Sequence, residues 1–234
     1  MDAMSTFTET AQPTTLLHIT ASPRRESLST SVSRELVSSW QAANPGARVI
    51  HRDVAAVPVP PITEAWTEIC DNLMRDQITD VERLHEGVRT AGQQRAWDVL
   101  EPLLTELLEA SLVVLATPMY NYSVPASLKA WLDQVTFPRM NLSPREFAVV
   151  ATRGGSYGAG SAKAGVEHQT RYLSDFVRGH FGVQEPATFT VDLGNARVDP
   201  LLADAFADHL DSFDTAVRDA RAFGRRHGER TVVA

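Results

Sequence analysis

Three stretches of the chain are apolar almost without interruption, at 14–20, 111–117 and 147–152. Each is six or seven residues long and runs into a segment rich in Ser, Pro or Gly. Continuous rather than alternating apolarity over that length predicts strands covered on both faces, the habit of a parallel sheet. Two weaker segments, 48–54 and 187–193, alternate apolar with polar positions and predict half-exposed strands. Between them the period lengthens to that of a helix. Val32, Leu36, Val37 and Trp40 share one face, and Asn44-Pro45-Gly46 ends that helix. Leu100, Leu103, Leu104, Leu107 and Leu108 form a second face. Leu128, Trp131, Leu132 and Val135 form a third, with Pro125 near its first turn, where a missing N–H costs little. Tyr172, Leu173, Phe176, Val177 and His180 follow the fourth strand, and 201–223 reads as one long closing helix.

Strand and helix therefore alternate along the whole chain, which predicts a parallel sheet between two helical layers. Five strands make 2-1-3-4-5 the expected order, a flavodoxin-like three-layer sandwich. Such a unit needs only about 130 residues from typical element and loop lengths. The chain has 234. The surplus is assigned to an N-terminal tail, 1–13, to a helical insertion between strands 2 and 3, and to longer late helices. A single domain, 14–234, is expected. The insertion begins Pro-rich at 57–61 and continues as charged helical sequence to about residue 99, with Trp66 and Trp97 placed to pin it to the body.

Composition narrows the partners. Net charge is −7 and no Lys/Arg cluster stands out, so no phosphate-backbone partner is expected. Arg225, Arg226 and Arg230 surround Glu229 and read as a solvated helix end. Cys70 is the sole cysteine, which leaves no intrachain disulfide or cysteine-based metal site. His168 and His180 are twelve apart, without metal-ligand spacing. No apolar run approaches the roughly 20 residues of a membrane span, and the first 13 residues lack a secretory core. A soluble, cytoplasmic protein without a metal is expected.

Ligands of open parallel sheets bind beyond the C-terminal strand ends. The loop after strand 1 carries Ser22, Arg24, Ser27 and Ser29 around a helix start, where unpaired N–H groups and the positive dipole end favour a phosphate. Capping alone needs one of these hydroxyls. The loop after strand 3, Pro118-Met119-Tyr120-Asn121-Tyr122, is bounded by prolines and offers apolar faces for a planar ligand. The loop after strand 4, Thr152-Arg153-Gly154-Gly155, allows close backbone approach through its glycines. It continues into a decoy: 154–158 fits G-x-S-x-G, and a Ser156–Asp192–His209 triad is the alternative this leaves. Ser156 lies four residues beyond its strand, however, and too few strands follow for a hydrolase sheet.

These residues, with Val124-Pro125-Ala126-Ser127-Leu128-Lys129-Ala130-Trp131-Leu132-Asp133, resemble the FMN-dependent NADH-azoreductases, quinone and azo reductases of flavodoxin-like fold. The resemblance runs from strand 1 to about Gly182. It implies a homodimer with FMN at each strand-end crevice and a substrate pocket partly made by the other subunit. Ser22, Arg24, Ser27, Ser29 and the Leu28 amide then look like the phosphate cradle. Pro118 to Tyr122 look like the strip along the flavin ring, and Thr152 to Gly155 like the wall at its pyrimidine edge. NADH or NADPH would reduce the flavin, and a quinone, azo compound or similar electron-poor aromatic would reoxidise it. Tyr120, Arg153 and Tyr157 are candidates for positioning that acceptor. The chain departs from the family in the helical segment 61–99 and in a short 134–146 connection, both expected to shape the substrate pocket. That divergence motivates an alternative, a pathway-specific flavoenzyme acting on one complex metabolite. A one-electron carrier of the flavodoxin kind is a further alternative, which the acidic surface suits and the insertion does not.

Overall fold

The computed structural model describes residues 14–233, with side chains to 229; the expected tail at 1–13 lies outside the described residues. The five strands are β1 (Thr15–Thr20), β2 (Arg48–Asp53), β3 (Leu112–Pro118), β4 (Glu146–Thr152) and β5 (Ala187–Val191). All neighbours pair parallel, in the order 2-1-3-4-5. The continuous runs are the central strands β1, β3 and β4, buried along nearly their whole length. The alternating runs are the edges β2 and β5, which keep polar positions facing water.

Helices cover both faces. On one side α1 (Leu28–Ala43) and α6 (Phe206–Val233) enclose Leu16, Val32, Leu36, Trp40, Val114 and Val150. The two helices touch through glycine: a Cβ on Gly224 would lie 2.3 Å from the Leu36 carbonyl oxygen, and one on Gly228 2.6 Å from that of Trp40. No side chain fits there, so these glycines set the helix separation. On the other side lie α2 (Glu64–Arg75), α3 (Ala91–Glu109), α4 (Ala126–Gln134) and α5 (Gln169–Phe181) over Leu17, Ile19, Val113, Leu115 and Val149.

The insertion is part of this second layer. Trp66, Ile69, Leu73, Trp97, Leu100, Leu104 and Leu107 all turn into the core. The Trp66 indole donates to the Gln134 carbonyl at 3.1 Å and lies 5.5 Å from the Phe137 ring, which fixes α2 to the end of α4. The end of the chain differs from expectation. The single helix predicted over 201–223 is interrupted: Pro200–Ala205 is a 3-10 turn with non-helical dihedrals at Leu202, and α6 starts at Phe206. Asp199 is the cause. Its carboxylate caps the Leu201 N–H at 3.0 Å with Pro200 in the first turn, a local start that competes with the longer helix.

Candidate functional site

The C-terminal ends of β1, β3, β4 and β5 open into one cleft. β1 contributes Ser22, Arg24, Ser27 and Leu28. Pro118, Met119 and Tyr120 come from β3, and Thr152, Arg153 and Gly154 from β4. The three loops singled out in the sequence thus converge.

One end of the cleft is the start of α1. Ser27 is its N-cap, and its hydroxyl accepts from the Thr30 N–H at 3.3 Å. The Ser27 and Ser29 hydroxyls lie 3.0 Å apart, and both residues are buried, as is Ser22. Capping therefore occupies Ser27 while two further hydroxyls and the first-turn N–H groups remain at the same place. Beneath them, His18 Nε2 is 2.8 Å from the Ser33 hydroxyl and its Nδ1 is 3.2 Å from His51. Burial, then His51 and Arg34, push the His18 pKa down to about 4. His18 is thus a neutral residue of the sheet face. Asp53 caps its strand end, accepting from the Ala55 and Ala56 N–H groups at 3.0 Å.

The other end is made of main chain and aromatic rings. Met119 N–H donates to the Thr152 carbonyl at 2.7 Å, joining the β3 and β4 loops. Tyr120 and Ser123 exchange hydrogen bonds at 2.9 and 3.1 Å around a two-residue turn. Asn121 and Tyr122 hold that turn with φ of 49° and 70°. α5 fastens it from outside: His168 N–H donates to the Tyr122 carbonyl and Gln169 Nε2 to the Thr117 carbonyl, each at 3.1 Å.

Several expected residues stand off the cleft wall. Ser29 lies beneath Ser27. Asn121 faces a neighbouring apolar groove with Tyr120, Val124, Pro125, Lys129 and Tyr172. Tyr122 meets Tyr157 edge-on at 6.3 Å, and Gly155 is occupied by its carbonyl bond to Leu193 N–H. Tyr157 lies behind the wall, its N–H donating to Asp192 at 3.2 Å and its ring 6.0 Å from the Arg153 guanidinium. Arg153 borders the cleft, yet its side chain is only 6% exposed, facing Glu167 at 3.7 Å and Asp192 at 3.6 Å. Burial raises the Glu167 pKa, but bonds from the Thr170 hydroxyl and amide, with Arg153, outweigh it and hold the carboxyl below its ordinary value.

Sequence reasoning missed the fourth wall. The loop after β5 supplies Gly194, Asn195, Arg197 and Val198. It is zipped to the β4 loop by Leu193 N–H to Gly155, Gly194 N–H to Arg153 and Asn195 N–H to Gly154, at 2.9–3.1 Å. A Cβ on Gly154 would come within 2.6 Å of the Asn195 side chain, which would have to turn away. The available signal was Gly194-Asn195 directly after an alternating strand. None of the residues of 61–99 and 134–146 lines this cleft. They build core instead, and Trp66, Arg95, Val99 and Gln134 line a separate groove. The triad does not assemble either. The His209 ring bonds the main-chain oxygen of Asp192 at 3.0 Å, and the Asp192 carboxylate serves Tyr157 and Arg153. None of the described hydrogen bonds joins Ser156 to His209.

Buried hydroxyls at a helix start suit a phosphate, and the Pro118–Tyr120 strip opposite Gly154 suits a flat ring edged by main-chain groups. That donor set fits FMN. The fold and cleft define a flavin-type α/β sandwich, and a family model described as flavodoxin-like fold matches residues 14–214, so the chain belongs to the flavodoxin-like family. Its relatives are more particular. It is 53% identical over 213 residues to a Nocardia farcinica protein named FMN-dependent NADH:quinone oxidoreductase, covering 91% of this chain and 99% of that one. A Frankia alni protein of the same name is 35% identical, covering 81% and 88%. Among solved structures, an azoreductase from Bacillus anthracis str. Sterne superposes with a TM-score of 0.71 at 19% identity, covering 91% and 99%. An FMN-dependent NADH-azoreductase from B. anthracis str. Ames Ancestor, solved with FMN, gives 0.70 at 16%, covering 92% and 99%. At such identities the structural likeness speaks for the fold.

Among the described residues, no helix is long and apolar enough to cross a membrane.

Proposed function

We propose that this chain is an FMN-dependent NADH:quinone oxidoreductase, with a quinone, azo compound or similar electron-poor aromatic as acceptor. The observation that carries the proposal is the convergence of the β1, β3, β4 and β5 loops on one cleft that starts at the N-terminus of α1. The names of the relatives at 53% and 35% identity support the same activity. When bound, FMN supplies hydride acceptance from the nicotinamide and hydride donation to the acceptor, in alternating half-reactions.

The chain's own part is to hold, orient and exclude water. Ser22, Ser27, Ser29, Arg24 and the Leu28 N–H bind the phosphate, where dipole and hydroxyls favour negative charge. Pro118, Met119 and Tyr120 form the strip along one ring edge, with Thr152, Arg153 and Gly154 opposite, and Asn121, Tyr122 and Gly155 support these loops from off the wall. Tyr120 positions the acceptor, and Tyr157, in edge contact with Tyr122, supports that end from behind the wall. Arg153, enclosed by two carboxylates, acts on Tyr157 from behind and keeps the β4 loop in place. The exposed rings of Tyr120 and Tyr122 beside an apolar groove favour a homodimer whose second subunit completes the acceptor pocket. The lone, buried Cys70 suits work in the cytoplasm.

The test is spectroscopic. Purified protein incubated with FMN and desalted should retain a flavin absorbance. NADH under anaerobic conditions should bleach it, and a quinone should restore it. Protein that remains colourless after FMN incubation sinks the proposal; a flavin that NADH leaves oxidised removes the reductase assignment. NADH against NADPH in the bleaching step sets the donor preference.

A further inference from the structure

One groove gathers three arginines on its walls. In a chain of net charge −7, several guanidinium groups meet carboxylates, as Arg48 meets Glu109, Arg52 Glu106 and Arg221 Glu35. Arg24, Arg25 and Arg34 take part in none of the ion pairs of the described residues. All three line a single groove over the ends of β1 and β2, together with His51 and Asp53. The groove shares Ser22 and Arg24 with the cofactor cleft, so it opens where the cleft's phosphate end stops.

Its chemistry is that of a nucleotide site. Three uncompensated guanidinium groups suit a diphosphate, which each can meet with two parallel N–H bonds. The exposed His51 imidazole offers a planar face for a base. The Asp53 carboxylate, fixed by the Ala55 and Ala56 N–H groups, is an acceptor for ribose hydroxyls. From β4 at the ring end to β2 is three strand spacings, about 14 Å, a distance a dinucleotide bridges. We infer that this groove is a second nucleotide subsite, which takes an adenosine diphosphate group beyond the FMN phosphate. Two sources share that chemistry: the ADP half of the nicotinamide reductant, and a separate adenine nucleotide. Only the first source rests on the proposed reductase activity.

The probe is ADP, titrated calorimetrically into FMN-loaded protein, with Arg34→Ala and Arg25→Ala as variants. Both residues are exposed and lie outside the FMN cradle. Binding that weakens about tenfold in either variant and declines with salt supports the subsite. Steady-state kinetics then separate the sources, using NADH and 1-benzyl-1,4-dihydronicotinamide, a donor without the ADP half. If the groove holds the reductant, ADP competes with NADH, and Arg34→Ala raises KM for NADH about tenfold while kcat and all constants for the truncated donor stay put. If the nucleotide is separate, ADP binds with the same arginine dependence without competing. Absence of ADP binding, or binding that neither variant weakens, overturns the inference. Should the protein take up no FMN, the reductase proposal falls, and ADP titration of the same protein still decides the groove.

Discussion

At one end of the cleft, Ser27 and Ser29 are buried and hydrogen-bonded to each other under the first turn of a sixteen-residue helix. At the other, Tyr120 and Tyr122 stand 37% and 47% exposed on a two-residue turn with two positive φ angles. The first end is held by regular structure: α1 is seated on β1 by Leu36 and Trp40 and locked to α6 at Gly224 and Gly228. The second is held by one main-chain bond from His168, one side-chain bond from Gln169 and the Arg153–Glu167–Asp192 group behind it. The difference assigns separate tasks. The phosphate end can be complete before anything binds, because its donors are paid for by helix formation. The aromatic end presents apolar rings to water, and a second surface or an acceptor is what would cover them.

The comparison breaks most sharply at the phosphate end. Ser27→Ala with Ser29→Ala should weaken FMN binding by at least about a hundredfold, since hydrogen bonds to a charged group contribute roughly 1.5–3 kcal/mol each and two are lost. Unfolding should cost about 1 kcal/mol less, from the lost cap. Fluorescence titration of FMN measures the first effect and urea denaturation the second. Unchanged FMN affinity would mean that the cradle lies elsewhere. Behind the aromatic end, Glu167→Gln leaves the enclosed Arg153 with one carboxylate, and should destabilise the fold by about 2 kcal/mol. Its pH dependence has a definite sign. Because the folded Glu167 carboxyl sits below its ordinary 4.5, its stabilising contribution is complete above 4.5 and is lost as pH falls through the lower folded value. The wild type should therefore lose part of its advantage over the variant below pH 4.5. Parallel acid titrations of stability would refute this.

The same contrast explains what could be read from the residues alone. The phosphate end is written in local terms: a strand, a hydroxyl cluster and a helical period starting at Leu28, all within a few residues. β1, β3 and β4 were equally legible, because burial on both faces leaves an unbroken apolar run. The β5 loop was not, since Leu193, Gly194 and Asn195 reach the cleft through main-chain bonds that any residue type can make. The insertion was legible only as charged helical sequence. Trp66 and Trp97 were placed to pin it to the body, and Ile69 and Leu73 join them in the core, but helical character alone does not name what buries a face. The break before α6 was signalled by Asp199-Pro200 and lost against the stronger amphipathic pattern that follows.

The mildest change sharpens the comparison most finely. Tyr122 holds a φ of 70°, a conformation that costs a side-chain-bearing residue about 1 kcal/mol or more. Tyr122→Gly removes that strain and gives the turn the Asn-Gly pair that suits its geometry. Against this stand the entropy that glycine adds to the unfolded chain and the lost edge contact with Tyr157, each roughly 0.5–1 kcal/mol. The terms nearly cancel, so stability should move by no more than about 0.5 kcal/mol. FMN affinity should hold, because Tyr122 lies off the cleft wall while Met119 stays bonded to Thr152. KM for a quinone should rise several-fold with little change in the rate of reduction by NADH. Stopped-flow measurement of the two half-reactions reads both quantities on one preparation. If FMN affinity collapsed instead, the turn would belong to the cofactor's support, and the two ends would not be separate parts.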